Sequence, residues 1–187
     1  MFCFLTEPSS TEFFTFKMID EIEDRSMSEA FSQAKEALAC GEVPVGCVFV
    51  FNNEIIARGR NTVNQTHNAT RHAEMNCIDQ ALTWCTVQQL DYRTVFPKIS
   101  IFVTVEPCGM CADALGQLCV MNIIYGCSND RFGGCGSVVD IPKLYKYPMK
   151  LQKGVRAEEA INLLKEFYKG ENPNAPTGKA KRKTKMM

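Results

Sequence analysis

The sequence predicts an α/β chain, a three-layer α/β/α sandwich around a mixed, mostly parallel sheet. Three observations carry that expectation. The apolar run Ile99–Val105 (Ile-Ser-Ile-Phe-Val-Thr-Val) has the composition of a buried strand. A helical stretch and a second short strand, Asn122–Tyr125, follow it, and strand, helix, strand at that spacing implies a parallel crossover. Amphipathic helices stand at both ends of the patterned region. The 187 residues make one domain with a tail, and a hydrophobic fraction of 45% is ordinary for a chain that buries a core.

Residues 1–25 are acidic and irregular in pattern, and are expected to be poorly ordered. The domain proper is expected over 26–170. Its first helix runs from Ser26 to Cys40, with Ser26 and Glu29 as a capping box. Met27, Ala30, Phe31, Ala34 and Leu38 form its apolar stripe, and Gly41 ends it. Val45–Phe51 and Ile55–Arg60 are two strands joined at Asn52-Asn53, a pair suited to a tight hairpin turn. A polar loop, 61–70, leads to a second helix over His72–Trp84. The strand Ile99–Val105 delivers the chain to Glu106-Pro107 and a third helix over Cys108–Cys119. The glycine-rich stretch 127–147 has no clear pattern. Met149–Lys153 is a last short strand. Arg156–Lys169 is the final helix, with Ala157, Ala160, Ile161, Leu164 and Tyr168 expected to face inward. No repeat and no second domain are evident.

The chemistry lies in His72-Ala73-Glu74 and Pro107-Cys108-Gly109-Met110-Cys111. Cysteines at i and i+3 are neighbours on one helix face, and their sulfurs can approach the roughly 3.8 Å that tetrahedral zinc requires. Pro107 marks a helix start, whose partial positive charge favours thiolate. Two residues apart on an ideal helix, His72 and Glu74 would point in nearly opposite directions. His72 is therefore placed at the very start of its helix, or Glu74 reaches a metal-bound water rather than the metal. Three ligands leave the fourth zinc position open, and a free glutamate beside it suits proton transfer. This order of residues is that of zinc-dependent nucleobase deaminases. Three other readings compete. The cysteines could be a redox pair, a structural zinc site closed by Cys77, Cys85 or Cys119, or plain buried thiols.

The net charge of zero hides an asymmetry. Lys179, Lys181, Arg182, Lys183 and Lys185 sit in the last nine residues with no acidic partner, leaving 16 basic against 21 acidic residues in the rest. This tail, within a flexible segment 171–187, suits RNA or an import receptor. Ten scattered cysteines suit a reducing compartment. No secretory signal or membrane span is read, so a nuclear or cytoplasmic, non-secreted chain is expected.

The segments Glu42-Val-Pro-Val-Gly46, Gly59-Arg-Asn61, Ala69-Thr-Arg-His-Ala-Glu-Met75, Thr104-Val-Glu-Pro-Cys-Gly-Met-Cys111 and Arg131-Phe-Gly-Gly-Cys-Gly-Ser137 together resemble the tRNA-specific adenosine deaminases of the cytidine deaminase-like fold. Glu171-Asn-Pro-Asn-Ala-Pro176 and the basic tail look closest to the catalytic branch of the eukaryotic two-subunit enzymes. The resemblance implies conversion of adenosine to inosine in a tRNA anticodon loop, at the wobble position. It implies a Zn2+ held by His72, Cys108 and Cys111, and Glu74 as the acid/base. It also implies that Asn61 hydrogen-bonds the flipped base and that Val43, Pro44 and Val45 wall its pocket. The partner implied is a homologous non-catalytic subunit, or a second copy of the chain. On its residues alone Asn61 reads equally as a loop-capping asparagine. A deaminase of free nucleosides or bases and a non-catalytic, zinc-stabilised RNA-binding subunit are the rival functions.

Overall fold

Alternate strand residues face two separate apolar clusters, and this divides the molecule into layers. The computed structural model describes the backbone of residues 10–169 and the side chains from residue 21 onward. In chain order the elements are α1 (Ser10–Ala39), β1 (Gly46–Phe51), β2 (Glu54–Arg60), α2 (Val63–Thr66), α3 (Ala73–Val87), α4 (Tyr92–Val95), β3 (Ser100–Val105), α5 (Gly109–Gln117), β4 (Asn122–Cys127), β5 (Lys150–Lys153) and α6 (Ala157–Lys169).

The five strands lie in the order β2-β1-β3-β4-β5. β1 is antiparallel to both β2 and β3, whereas β3–β4 and β4–β5 are parallel. The sheet is mixed, with the two kinds of pairing equal in number, because the Asn52-Asn53 hairpin adds an antiparallel half to the crossover half. Both asparagines adopt positive φ (49° and 66°), as a tight two-residue hairpin turn requires.

Cys47, Phe49, Ile101, Val103, Ile123 and Tyr125 point to the layer of α3 and α5. Val48, Val50, Phe102 and Ile124 point to the layer of α1 and α6. This is the period-two alternation of strands covered on both faces. The site belongs to the first layer. There α3 lies very close to β2: a Cβ at Gly59 would stand 2.4 Å from the Ala73 carbonyl oxygen, so only glycine lets the start of α3 settle there.

Two expectations about helices are corrected. α1 begins at Ser10, well before Ser26, and so takes in much of the segment expected to be irregular. No glycine or proline interrupts the chain from Ser10 to Cys40, and nothing stops the helix there. Ser26 is thus an interior helix residue with a fully buried hydroxyl, and Glu29 pairs with Arg58 at 3.1 Å instead of closing a capping box. The expected stripe Met27, Ala30, Phe31 and Ala34 does face the core, and Gly41 ends the turn at φ 71°. In α6 the core face is centred on Ala160 and Leu163, while Ile161 is 38% and Tyr168 60% exposed. Of the five residues expected inward, Ala157, Ala160 and Leu164 do pack against the α1–α6 cluster, while Ile161 and Tyr168 do not. Residues 1–9 and 170–187, with the basic tail Lys179, Lys181, Arg182, Lys183 and Lys185, lie outside the described residues.

Candidate metal centre and active site

His72 is the N-cap of α3, in an extended backbone conformation that aims its ring away from the helix axis. Glu74 follows in the first turn. The two side chains therefore converge despite their spacing, which on an ideal helix would separate them. Cys108 is the N-cap of α5 and Cys111 lies in its first turn. Nδ1 of His72 stands 3.5 Å from Cys108 Sγ and 3.6 Å from Cys111 Sγ. Zinc bonds of about 2.0 Å to nitrogen and 2.3 Å to sulfur at a tetrahedral angle call for separations of about 3.5 Å. The donor atoms of all three residues lie within 4.8 Å of one another, and among the described residues no fourth protein donor joins them. Cys77, Cys85 and Cys119 stand outside the group. One nitrogen and two sulfurs with an open position fit a catalytic zinc better than a closed structural site.

The electrostatics are those of a tightly coupled, buried cluster. A hydrogen bond from the Cys111 thiol holds Cys108 down to about 4, with His72 acting the same way and burial opposing it. Seen from the other side, that same bond, then burial, pushes Cys111 well up. The two sulfurs are thus tightly coupled through a proton that a bound metal cation would displace. His72 is raised chiefly by its hydrogen bond with Cys108. Glu74, 3% exposed, is raised to about 6, first by burial and then by the charge of Cys108. A carboxyl tuned towards neutrality can both accept and return a proton.

His72, Glu74 and Cys108 line a cleft of about 930 Å³, with Cys111 fully buried beneath it. Val43, Val45 and Asn61 make one wall, and Asn129, Phe132 and Val138 make the other. Leu164 and Tyr168 of α6 also line it. Pro44 does not line the cleft; it is buried behind the wall that its two valine neighbours form. Asn61 is 6% exposed and does two things. Its Oδ1 accepts from the Ala73 N–H at 3.0 Å, so it caps α3, and its own N–H donates to the Val45 carbonyl at 3.2 Å. The capping role is therefore present, from a residue that also reaches the cleft. The loop carrying it is fixed by the Asn76 amide, which donates to the Arg60 carbonyl at 2.8 Å, and by buried Glu42, which accepts from the Gln65 N–H at 2.8 Å.

Sequence reasoning assigned no part in the site to Glu106, Asn129, Phe132 or Val138, and expected Leu164 and Tyr168 only as inward-facing residues of the last helix. The clue for the first four was the position of Glu106 between a buried strand and a metal-ligand turn, with a glycine-rich segment downstream.

Three comparisons with known proteins agree. Residues 20–127 match the cytidine and deoxycytidylate deaminase zinc-binding region. The chain is 53% identical over 160 residues to tRNA-specific adenosine deaminase 2 of Danio rerio, covering 83% of this chain and 75% of that protein. It is 51% identical over 171 residues to the protein of the same name from Xenopus tropicalis, covering 89% and 99%. A solved structure from a study of A-to-I editing by tRNA:A34 deaminases at the wobble position superposes with a TM-score of 0.67 at 28% identity, covering 75% of this chain and 99% of that one. With a three-donor zinc cradle and a buried carboxyl beside it, the chain belongs to the tRNA-specific adenosine deaminases, within the zinc-binding cytidine and deoxycytidylate deaminase family.

Proposed function

We propose that this chain is the catalytic subunit of an enzyme that hydrolyses adenosine to inosine at the wobble position of tRNA anticodons. The observation that carries this reading is the convergence of His72, Cys108 and Cys111 on one point, with Glu74 buried beside it at the floor of an open cleft. When bound at that point, zinc supplies Lewis acidity and lowers the pKa of a water at its open position to about 7.

The chain's own residues do the rest. Glu74 accepts one proton from the attacking water and passes it to ring N1, then takes the second from the new C6 hydroxyl and passes it to the departing amine, so that water and adenosine become inosine and ammonia. Its raised pKa of about 6 leaves it able to move in both directions near neutral pH. Asn61 offers its side-chain amide to the purine edge from a position that α3 holds fixed. Val43 and Val45 flank the base and exclude water. An anticodon loop presents its bases unpaired, which lowers the cost of placing one in the cleft.

The companion subunit is a homologous deaminase-like chain without the proton-shuttling glutamate, or a second copy of this chain. Lys179, Lys181, Arg182, Lys183 and Lys185 add phosphate contacts or an import signal, consistent with action in the nucleus, the cytoplasm or both. Among the described residues no helix is long and apolar enough to cross a membrane. The test is inosine formation on an anticodon stem-loop against free adenosine and cytidine, with zinc measured on the same sample and the companion subunit present or absent. Turnover of the free nucleosides but not the RNA would sink the reading. Ending the chain after Gly178 is expected to weaken RNA binding and flatten its salt dependence while sparing the chemistry; an unchanged salt slope removes the tail from RNA binding.

A further inference from the structure

Glu106 takes no part in the chemistry proposed above, yet its side chain is 1% exposed. Among the described residues no cation pairs with it. A buried carboxylate without a counter-charge is tolerated only when hydrogen bonds satisfy its oxygens. Here all of them come from one downstream segment. Oε1 accepts from the N–H groups of Cys135 at 2.9 Å and Ser137 at 3.1 Å. Oε2 accepts from the Asn129 N–H at 2.9 Å and from the Ser137 hydroxyl. The approach is so close that a Cβ at Gly133 would stand 2.7 Å from the carboxylate.

The segment that Glu106 gathers is the second wall of the cleft, through Asn129 and Phe132, with Val138 just beyond it. It has no regular secondary structure of its own. It is also tied to the turn that carries Cys108: the Gly109 N–H donates to the Phe132 carbonyl at 3.0 Å, and the Gly134 N–H to the Pro107 carbonyl at 2.8 Å. Glu106 thus joins the metal-ligand turn to the wall that faces Val43 and Val45.

We propose that Glu106 is a positioning residue: its carboxylate fixes the Asn129–Ser137 segment as a rigid wall, so that the grip on the substrate base depends on it while zinc binding does not. The proposal rests on the deaminase reading. A glutamine at this position keeps the shape but replaces one oxygen with an NH2 group. N–H donors converge on both oxygens, so either orientation of the amide sets donor against donor.

The experiment compares wild type, Glu106→Gln and Ser137→Ala in zinc content, in steady-state kinetics on an anticodon stem-loop, and in amide hydrogen exchange. Glu106→Gln is expected to keep one zinc per chain and to raise KM about 10-fold, within the ceiling of about 100-fold set by losing a charge-assisted hydrogen bond. Exchange is expected to quicken at Asn129, Cys135 and Ser137. Ser137→Ala removes a single donor and is expected to raise KM only a few-fold. Zinc loss in step with activity, leaving wild-type kinetics per bound zinc, overturns the proposal, because Glu106 would then serve only the ligand turn. So does a fall in kcat with KM and exchange unchanged. Where Glu106→Gln does not fold, Ser137→Ala decides: a raised KM supports the role and an unchanged one ends it. A wild type that is inactive even with the companion subunit present would instead sink the deaminase reading, and the exchange result would still stand on its own.

Discussion

At the start of α3, His72 holds φ −77° and ψ 162°; at the start of α5, Cys108 holds φ −69° and ψ 168°. The two N-caps share a backbone, and each carbonyl accepts the first helical hydrogen bond, from Asn76 at 3.0 Å and from Ala112 at 2.8 Å. Neither side chain caps its own helix, since both are turned to the metal site. The first N–H of each helix has no partner within the helix, and here it is satisfied from outside. The anchors then differ. The Ala73 N–H is held by the side chain of Asn61, the Gly109 N–H by the main chain of Phe132. The first anchor can be removed by one substitution. The second can be reached only through whatever holds the loop, which is why Glu106 matters at that end.

Removing a ligand from either start gives the largest effect. Cys108→Ser and His72→Ala are each expected to lose stoichiometric zinc and drop inosine formation to background, and to melt lower because binding energy is also folding energy. Metal analysis and a melting curve check this, and full zinc content in either variant would break the equivalence of the two starts. The next effect separates them. Glu74 belongs to the first start alone, so Glu74→Gln is expected to keep zinc and fold but lose about 10²- to 10⁴-fold in turnover, the range for a positioned acid/base. Near-normal turnover would remove Glu74 from the chemistry.

A smaller and more selective effect is expected at Asn61. Asn61→Ala deprives the Ala73 N–H of its acceptor, at a cost of about 1 kcal/mol, and removes the amide from the cleft as well. Asn61→Asp restores the acceptor but not the NH2 donor. If Asn61 only caps α3, the aspartate recovers both melting temperature and activity. If it also grips the base, stability returns while KM stays raised. The pair of variants, assayed side by side, tells the two apart.

The sequence displayed the chemistry more clearly than the geometry around it. His-x-Glu and Cys-x-x-Cys are local patterns tied to helix starts, and the structure brings His72, Glu74, Cys108 and Cys111 together. The strands were legible because alternate residues face two apolar layers. What was hidden depends on contacts distant in the chain. The grouping of Asn129, Cys135 and Ser137 around Glu106 leaves no periodic signal, since glycine-rich segments carry none. The part that Leu164 and Tyr168 of α6 take in lining the cleft was hidden too, because the cleft joins segments distant in the chain. At Ser26 the local signal was misleading, because a serine three residues before a glutamate resembles a helix start even where the helix runs through it.

That serine supplies the smallest prediction and a control for the others. Its hydroxyl is fully buried in the α1 layer and is the only buried side-chain oxygen or nitrogen among the described residues without a hydrogen-bond partner. It lies in the same cluster region as Met27 and Ala30, on the face of the sheet opposite the metal site. An unsatisfied buried hydroxyl costs roughly 1–3 kcal/mol, and alanine is the better helix former. Part of that gain is offset by the small space left behind. Ser26→Ala is therefore expected to raise the melting temperature by about 2–4 °C, as about 1 kcal/mol does in a domain of this size. Zinc content and turnover should stay at wild-type values, because neither helix start lies in that layer. A stabilised protein whose activity nonetheless fell would show that α1 constrains the cleft through the sheet, and the two ligand-bearing starts could then no longer be treated as anchored by Asn61 and Phe132 alone.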